Sequence, residues 1–297
     1  MIRRTRREAM WIFAAGAGSA AAPGGWLLSK PARAAEDTLA RIRREKRIRL
    51  GFFNQAPWAT LNADGTATGE APDVVRAALA PLGVATIEPV VAEFAAMIPG
   101  LLADRFDAVA TGLYINPARC KLVLFGNPDI QMGDAFLVKA GNPIDLHSYG
   151  DLAKRTDFQI GVNRGSVLIQ YIDAAGVHKD RVVLFPDNQA ALAGLQAGRV
   201  AVVAGTAASV VNLIATAKDP GIERATPFAG WHDEKGQEVK GYPGTAFRPA
   251  DAALRDAYND GLRELRSSGG LLAILRRHGF GESELPPENL TAAQLCG

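Results

Sequence analysis

The stretch Phe94-Ala-Ala-Met-Ile-Pro-Gly-Leu-Leu-Ala-Asp-Arg-Phe-Asp-Ala-Val-Ala-Thr-Gly112 decides the fold class. Residues 94–103 space their apolar side chains as one face of a helix does. Residues 106–110 form a short apolar run closed by Thr111-Gly112, which reads as a buried strand. Upstream, residues 86–91 make another strand, residues 72–82 an amphipathic helix behind the turn Asn62-Ala-Asp-Gly65, and residues 48–53 a first apolar strand. The order is βαβαβ, which implies an α/β protein with largely parallel strands.

Downstream the same grammar repeats. After residues 135–139 come a strand at 159–162, a Gly-containing turn at Asn163-Arg164-Gly165-Ser166, a helix through Ile172, a strand at 182–185, a helix at 189–197 and a strand at 201–204. Two such sets imply two lobes. A strand at 244–247 and helices at 250–267 and 271–277 have no sheet of their own to cover, so they return to the first lobe. The expected division is residues 35–140 with 242–297 as lobe 1, and 141–241 as lobe 2. Gly141-Asn142-Pro143 and Lys240-Gly241-Tyr242-Pro243 are the expected crossings, Gly and Pro suiting a hinge with discrete closure states. A cleft between lobes is where ligands bind.

The chain has 297 residues, 48% hydrophobic and 22% charged, and a formal net charge of +2. Residues 1–34 carry +5 of that, so the remainder is −3. A mildly acidic body lacks the basic stripe that phosphate-backbone binding needs, which excludes nucleic acid as a partner. The first residues read as an export leader: a basic cluster, an uncharged Ala/Gly-rich stretch from Ala9 to Ser29, then the small-x-small site Ala32-Arg33-Ala34. Thr5-Arg6-Arg7-Glu8-Ala9-Met10 resembles a twin-arginine signal, so the expected location is the periplasm. In that oxidising compartment Cys120 and Cys296 are either two thiols or one disulfide tying the tail to lobe 1.

Gly112-Leu-Tyr-Ile-Asn-Pro-Ala-Arg-Cys-Lys-Leu-Val-Leu-Phe-Gly-Asn-Pro128, with Leu101-Leu-Ala-Asp-Arg-Phe-Asp107 and Leu195-Gln-Ala-Gly-Arg199, resembles the extracellular solute-binding proteins of polar amino-acid importers. Gly69-Glu-Ala-Pro72, Ile98-Pro-Gly-Leu101 and Tyr114-Ile-Asn-Pro-Ala-Arg-Cys120 resemble the ectoine/hydroxyectoine-binding branch of that family. The resemblance implies a periplasmic-binding-protein-like type II fold, an α/β architecture of two lobes joined by a two-crossing hinge. It also implies a monomer without cofactor or metal, working with the permease subunits of an ABC importer and capturing a small zwitterion.

The resemblance also assigns roles. Arg119 holds the ligand carboxylate through paired, charge-assisted hydrogen bonds. Trp58, Phe94 and Tyr114 lie after strand ends, where open α/β sheets bind ligands, and form an aromatic box around a delocalised cation. Ser166 caps a helix and faces an anion. Gln55 stands where the ectoine-binding relatives carry an acid. Thr206 stands where amino-acid-binding members hold an α-ammonium with Asp, a departure that favours a cyclic or masked amine. Two other readings compete. An enzyme such as a periplasmic dehydratase needs a general acid or base, for which Glu93 and His232 are candidates without a recognisable partner. A module signalling to a membrane sensor looks the same as a transport receptor in sequence.

Overall fold

Apolar alternation and helical amphipathicity in residues 37–133 build the first sheet. In the computed structural model, residues 37–233 and 235–297 are described, and the expected export leader at residues 1–34 lies outside them. The chain runs α1 (Thr38–Glu45), β1 (Arg47–Phe52), β2 (Thr60–Leu61), β3 (Ala67–Thr68), α2 (Glu70–Leu79), β4 (Thr86–Val91), α3 (Met97–Leu102), β5 (Ala108–Val109), α4 (Pro117–Cys120) and β6 (Leu124–Phe125). Next come β7 (Asp134–Lys139), α5 (Tyr149–Lys154), β8 (Ile160–Asn163), α6 (Leu168–Ala174), β9 (Val182–Phe185), α7 (Asn188–Gln196), β10 (Val202–Thr206), α8 (Ala207–Ala217) and β11 (Ile222–Arg224). The chain closes with β12 (Ala246–Phe247), α9 (Ala252–Ser267), α10 (Gly270–Arg277) and α11 (Ala292–Cys296).

Each lobe is a five-stranded sheet, in the order β4-β1-β5-β12-β6 in the first and β11-β7-β10-β8-β9 in the second. β1 is parallel to β4 and β5, and β8 is parallel to β9 and β10, as the βαβ pattern requires. In both sheets the strand next to a chain crossing is antiparallel, β12 between β5 and β6, and β7 between β10 and β11. Membership of β7 in the second sheet corrects the expected first crossing. The chain leaves the first sheet after β6 and crosses before Asp134, while Gly141-Asn142 makes a turn inside the second lobe, both residues at positive φ. Apolar alternation identifies a strand but not the sheet it joins. The outgoing and returning segments run side by side, Met132 N donating to Gly241 O at 2.8 Å and Gly241 N to Met132 O at 2.7 Å.

Ile48 and Leu50 of β1, Val74, Val75 and Ala78 of α2, and Leu254 and Tyr258 of α9 share one buried core. Gly261 lets α9 approach α2, since a Cβ there would lie 1.9 Å from Ala78 O. At the N-terminal edge of β5, buried Asp107 is a structural anchor. Its Oδ1 accepts from Arg49 Nη2 at 2.7 Å and its Oδ2 from Arg49 N at 2.9 Å. The outgoing crossing is bracketed by two buried aspartates with like partners: Tyr258 Oη donates to Asp129 Oδ2 and Tyr149 Oη to Asp134 Oδ2, each at 3.0 Å. Among the described residues no helix is long and apolar enough to cross a membrane.

Candidate functional site

The opposite, C-terminal edge of the parallel strands carries different chemistry. Gln55 and Trp58 follow β1, Phe94 follows β4, and Thr111, Gly112, Tyr114 and Arg119 follow β5. Asn163 ends β8, Asn188 begins α7 after β9, and Thr206 ends β10. All seven residues singled out from the sequence, Gln55, Trp58, Phe94, Tyr114, Arg119, Ser166 and Thr206, line one cavity of about 60 Å³ between the two sheets. That is room for on the order of five waters, or one compact small molecule.

Arg119 sits on a one-turn helix fixed by its own sequence. Pro117 presets the first helical φ and Asn116 caps the turn, its Oδ1 accepting from Arg119 N at 2.9 Å. The guanidinium is held by two backbone carbonyls: Nη1 donates to Tyr114 O at 2.7 Å, and Nη2 reaches across the cleft to Gly165 O at 3.0 Å. Phe94 lies beneath it, the ring centroid 5.7 Å from Arg119 Cζ. Arg119 makes no ion pair among the described residues, and none of the described lining residues is an Asp or Glu. Burial lowers its pKa to about 10, against smaller raising effects from Tyr114 and Tyr171. The cavity therefore carries one cation with donors to spare, an arrangement that calls for an anion from outside.

The rings form the walls. Trp58 is 3% exposed and lies on Gly112, whose φ of +67° is left-handed and where a Cβ would come within 2.7 Å of Trp58 Cδ2. Phe53 packs edge-on to Phe94 at 6.1 Å. Tyr114 is backed by Gly241 of the returning crossing, where a Cβ would meet the ring at 1.7 Å. Its Oη is buried with no partner among the described residues.

The family model of the bacterial extracellular solute-binding proteins, family 3, matches residues 48–282. The chain belongs to that family. A crystal structure of EhuB in complex with hydroxyectoine has a TM-score of 0.80 and 35% identity to it, covering 88% of this chain and 98% of that one. A protein of Sinorhizobium fredii (strain NBRC 101917 / NGR234) named "Probable amino-acid ABC transporter periplasmic-binding protein" is 30% identical over 262 residues, 87% of this chain and 86% of that protein. ABC transporter arginine-binding protein 1 of Escherichia coli (strain K12) is 27% identical over 180 residues, 59% of this chain and 67% of its own length. The two lobes are those of a type II periplasmic binding protein.

Within this family 3 protein, two hydroxyls differ from their reading in sequence. Val167, not Ser166, holds the cap position of α6, and Ser166 Oγ accepts from Leu168 N at 3.3 Å. Thr206 is the cap of α8, its Oγ1 accepting from Ser209 N at 3.3 Å. Glu93 and His232 do not line the cavity. Glu93 faces Arg164 at 3.9 Å, and His232 Nδ1 lies 2.8 Å from Gly230 O. Sequence reading missed Asn163, Asn188 and Ser209. Asn163 Nδ2 donates to Asn188 Oδ1 at 2.5 Å, which leaves the buried Asn163 Oδ1 without a partner among the described residues. A signal for both existed in their positions at a strand end and a helix start of the second βαβ set.

Cys120, next to Arg119, is disulfide-bonded to Cys296 with Cα atoms 5.7 Å apart.

Proposed function

We propose that the protein is the periplasmic receptor of an ABC importer, a monomer that delivers a compact zwitterion to permease subunits, with ectoine or hydroxyectoine as the best-fitting solute. The observation that carries this reading is the lone Arg119 guanidinium in a cavity walled by Phe53, Trp58, Phe94 and Tyr114, with no acid among the described lining residues. The guanidinium takes the solute's carboxylate. A delocalised ring cation rests against aromatic faces, each good contact contributing roughly 0.5–2 kcal/mol. A primary ammonium is best met by a carboxylate, which none of the described lining residues supplies. Its size suits a compact ring rather than an extended side chain. The hydroxyectoine complex of the EhuB relative supports the same ligand class. The two curated relatives, one named for amino-acid and one for arginine binding, support a polar amino acid as the second reading. The periplasmic location and the twin-arginine route belong to the same proposal.

Ligand-induced stabilisation across a panel of solutes tests it. At a hundredfold excess over Kd the folded state gains about 2.7 kcal/mol, or on the order of 5–10 °C in Tm for a chain of this size. A shift with ectoine upholds the reading. A shift with arginine or glutamine and none with ectoine replaces it with the second. Turnover of a bound carboxylate by the purified protein identifies an enzyme instead.

A further inference from the structure

We infer that Ser209 is the latch between the lobes, positioning Gln55 and Trp58 across the cleft without itself touching the solute. The inference rests on reading the cavity as the solute site. Ser209 is 4% exposed on the first turn of α8, in the second lobe. Two donors from the first lobe converge on its hydroxyl: Gln55 Nε2 at 2.6 Å and Trp58 Nε1 at 3.1 Å. Thr206 Oγ1 lies 2.8 Å from the same oxygen, within the second lobe. A serine oxygen accepts two hydrogen bonds and donates one, so these three contacts saturate it.

Three consequences follow. Ser209 has nothing left to offer a ligand, so it acts on closure. An indole N–H only donates, so Trp58 is oriented by an acceptor that comes from the other lobe. The Gln55 amide nitrogen is spent on the latch, and Oε1, which has no partner among the described residues, is the half left to meet an N–H of the solute. Gln55 is thereby fixed as an acceptor although it carries no charge. The far flank of the cavity closes differently, by backbone approach. Arg119 Nη2 binds Gly165 O, and Gly165 packs so near Ala95 that a Cβ would sit 3.0 Å from Ala95 Cα. The Ser209 flank is where closure depends on side-chain donors.

Ser209→Ala strands two N–H groups against a methyl. The measurement is ectoine binding and release by stopped-flow fluorescence, with the exchange rate of the Trp58 indole proton followed in ¹⁵N spectra and its peak assigned as the one lost in Trp58→Phe. We expect Ser209→Ala to weaken ectoine binding roughly tenfold to hundredfold, mostly through a faster off-rate, and to expose the indole proton to exchange. Trp58→Phe keeps a ring but not the donor, so combined with Ser209→Ala it should cost less than the two single changes summed. An unchanged Kd for Ser209→Ala, or single effects that simply add, overturns the latch. If the wild type takes no ectoine, the solute reading fails and the ligand-free protein decides the latch. A protected indole proton that Ser209→Ala exposes upholds it, and one that already exchanges at the solvent rate in the wild type overturns it.

Discussion

Of the described side chains around the cavity, the first lobe contributes every ring, Phe53, Trp58, Phe94 and Tyr114, and the one charge, Arg119. The first lobe adds the Gln55 amide and the Thr111 hydroxyl, while the second contributes only hydroxyls and amides, those of Asn163, Ser166, Asn188, Thr206 and Ser209, beside apolar residues such as Val167 and Leu168. The difference divides labour. In the first lobe Arg119 is anchored locally on Tyr114 O, while its second donor, Gln55 and Trp58 reach across to Gly165 O and Ser209, so the rings and the charge offer the docking surface and closure completes their orientation. The second lobe's polar groups are largely engaged with one another or across the cleft, so they read closure. Binding energy should therefore concentrate in the first lobe.

Arg119→Ala is the strongest way to break that comparison. Losing two charge-assisted hydrogen bonds should weaken ectoine binding roughly 10²–10⁴-fold by calorimetry, with little change in ligand-free stability because relief of a buried, unpaired charge offsets the hydrogen bonds to Tyr114 O and Gly165 O that are given up. Phe94→Ala, which removes the ring beneath the guanidinium, should cost roughly tenfold. Gln55→Glu sharpens the comparison by adding a counter-charge on the ring side. It should strengthen ectoine binding about fivefold, since hydrogen bonds to an ionised acceptor are about twice as strong as neutral ones and the Ser209 hydroxyl can donate to the carboxylate in place of the lost Nε2 donor. Ser166→Ala removes a single contact of 3.3 Å and should change Kd by about twofold. A tenfold loss there would put part of the docking energy in the second lobe.

The smallest expected effect on solute binding concerns the two aspartates at the crossing, which act on stability instead. Burial raises the pKa of Asp129 and of Asp134 to about 7 each, against the lowering effect of the hydrogen bonds from Tyr258 and Tyr149. The folded chain thus keeps protons that the unfolded chain, with ordinary values near 4, releases. The contribution of these two groups to stability is fully present below about pH 4, falls as pH rises to about 7, and is lost above that. Tm at pH 5.5 should exceed Tm at pH 7.5 by about 7–15 °C, and Asp134→Asn should flatten part of that slope.

The parallel core and the loops that carry Trp58, Tyr114 and Arg119 were legible in the sequence. A βαβ unit fixes by topology which strand ends face the cleft, and Pro117 with Asn116 marks the Arg119 turn locally. The sheet that claims β7 was not legible, because pairing partners far along the chain leave no mark in a five-residue apolar run. Nor was Ser209. Its helix lies between the strands expected at 201–204 and 244–247, where the sequence reading places no element, and its two first-lobe partners are 151 and 154 positions away, so nothing around Ser209 itself advertises them. Ser166 and Thr206 were found by position, but their capping bonds depend on where each helix actually begins.

The Cys120–Cys296 bond joins the turn bearing the guanidinium to α11, 176 residues downstream. A mechanical lever acting on residues 292–296 therefore acts on the Arg119 turn, although none of those residues lines the cavity. A reporter domain grafted onto α11 would make a natural transducer of occupancy. The same graft made to immobilise the protein on a surface would perturb the affinity it was meant to measure.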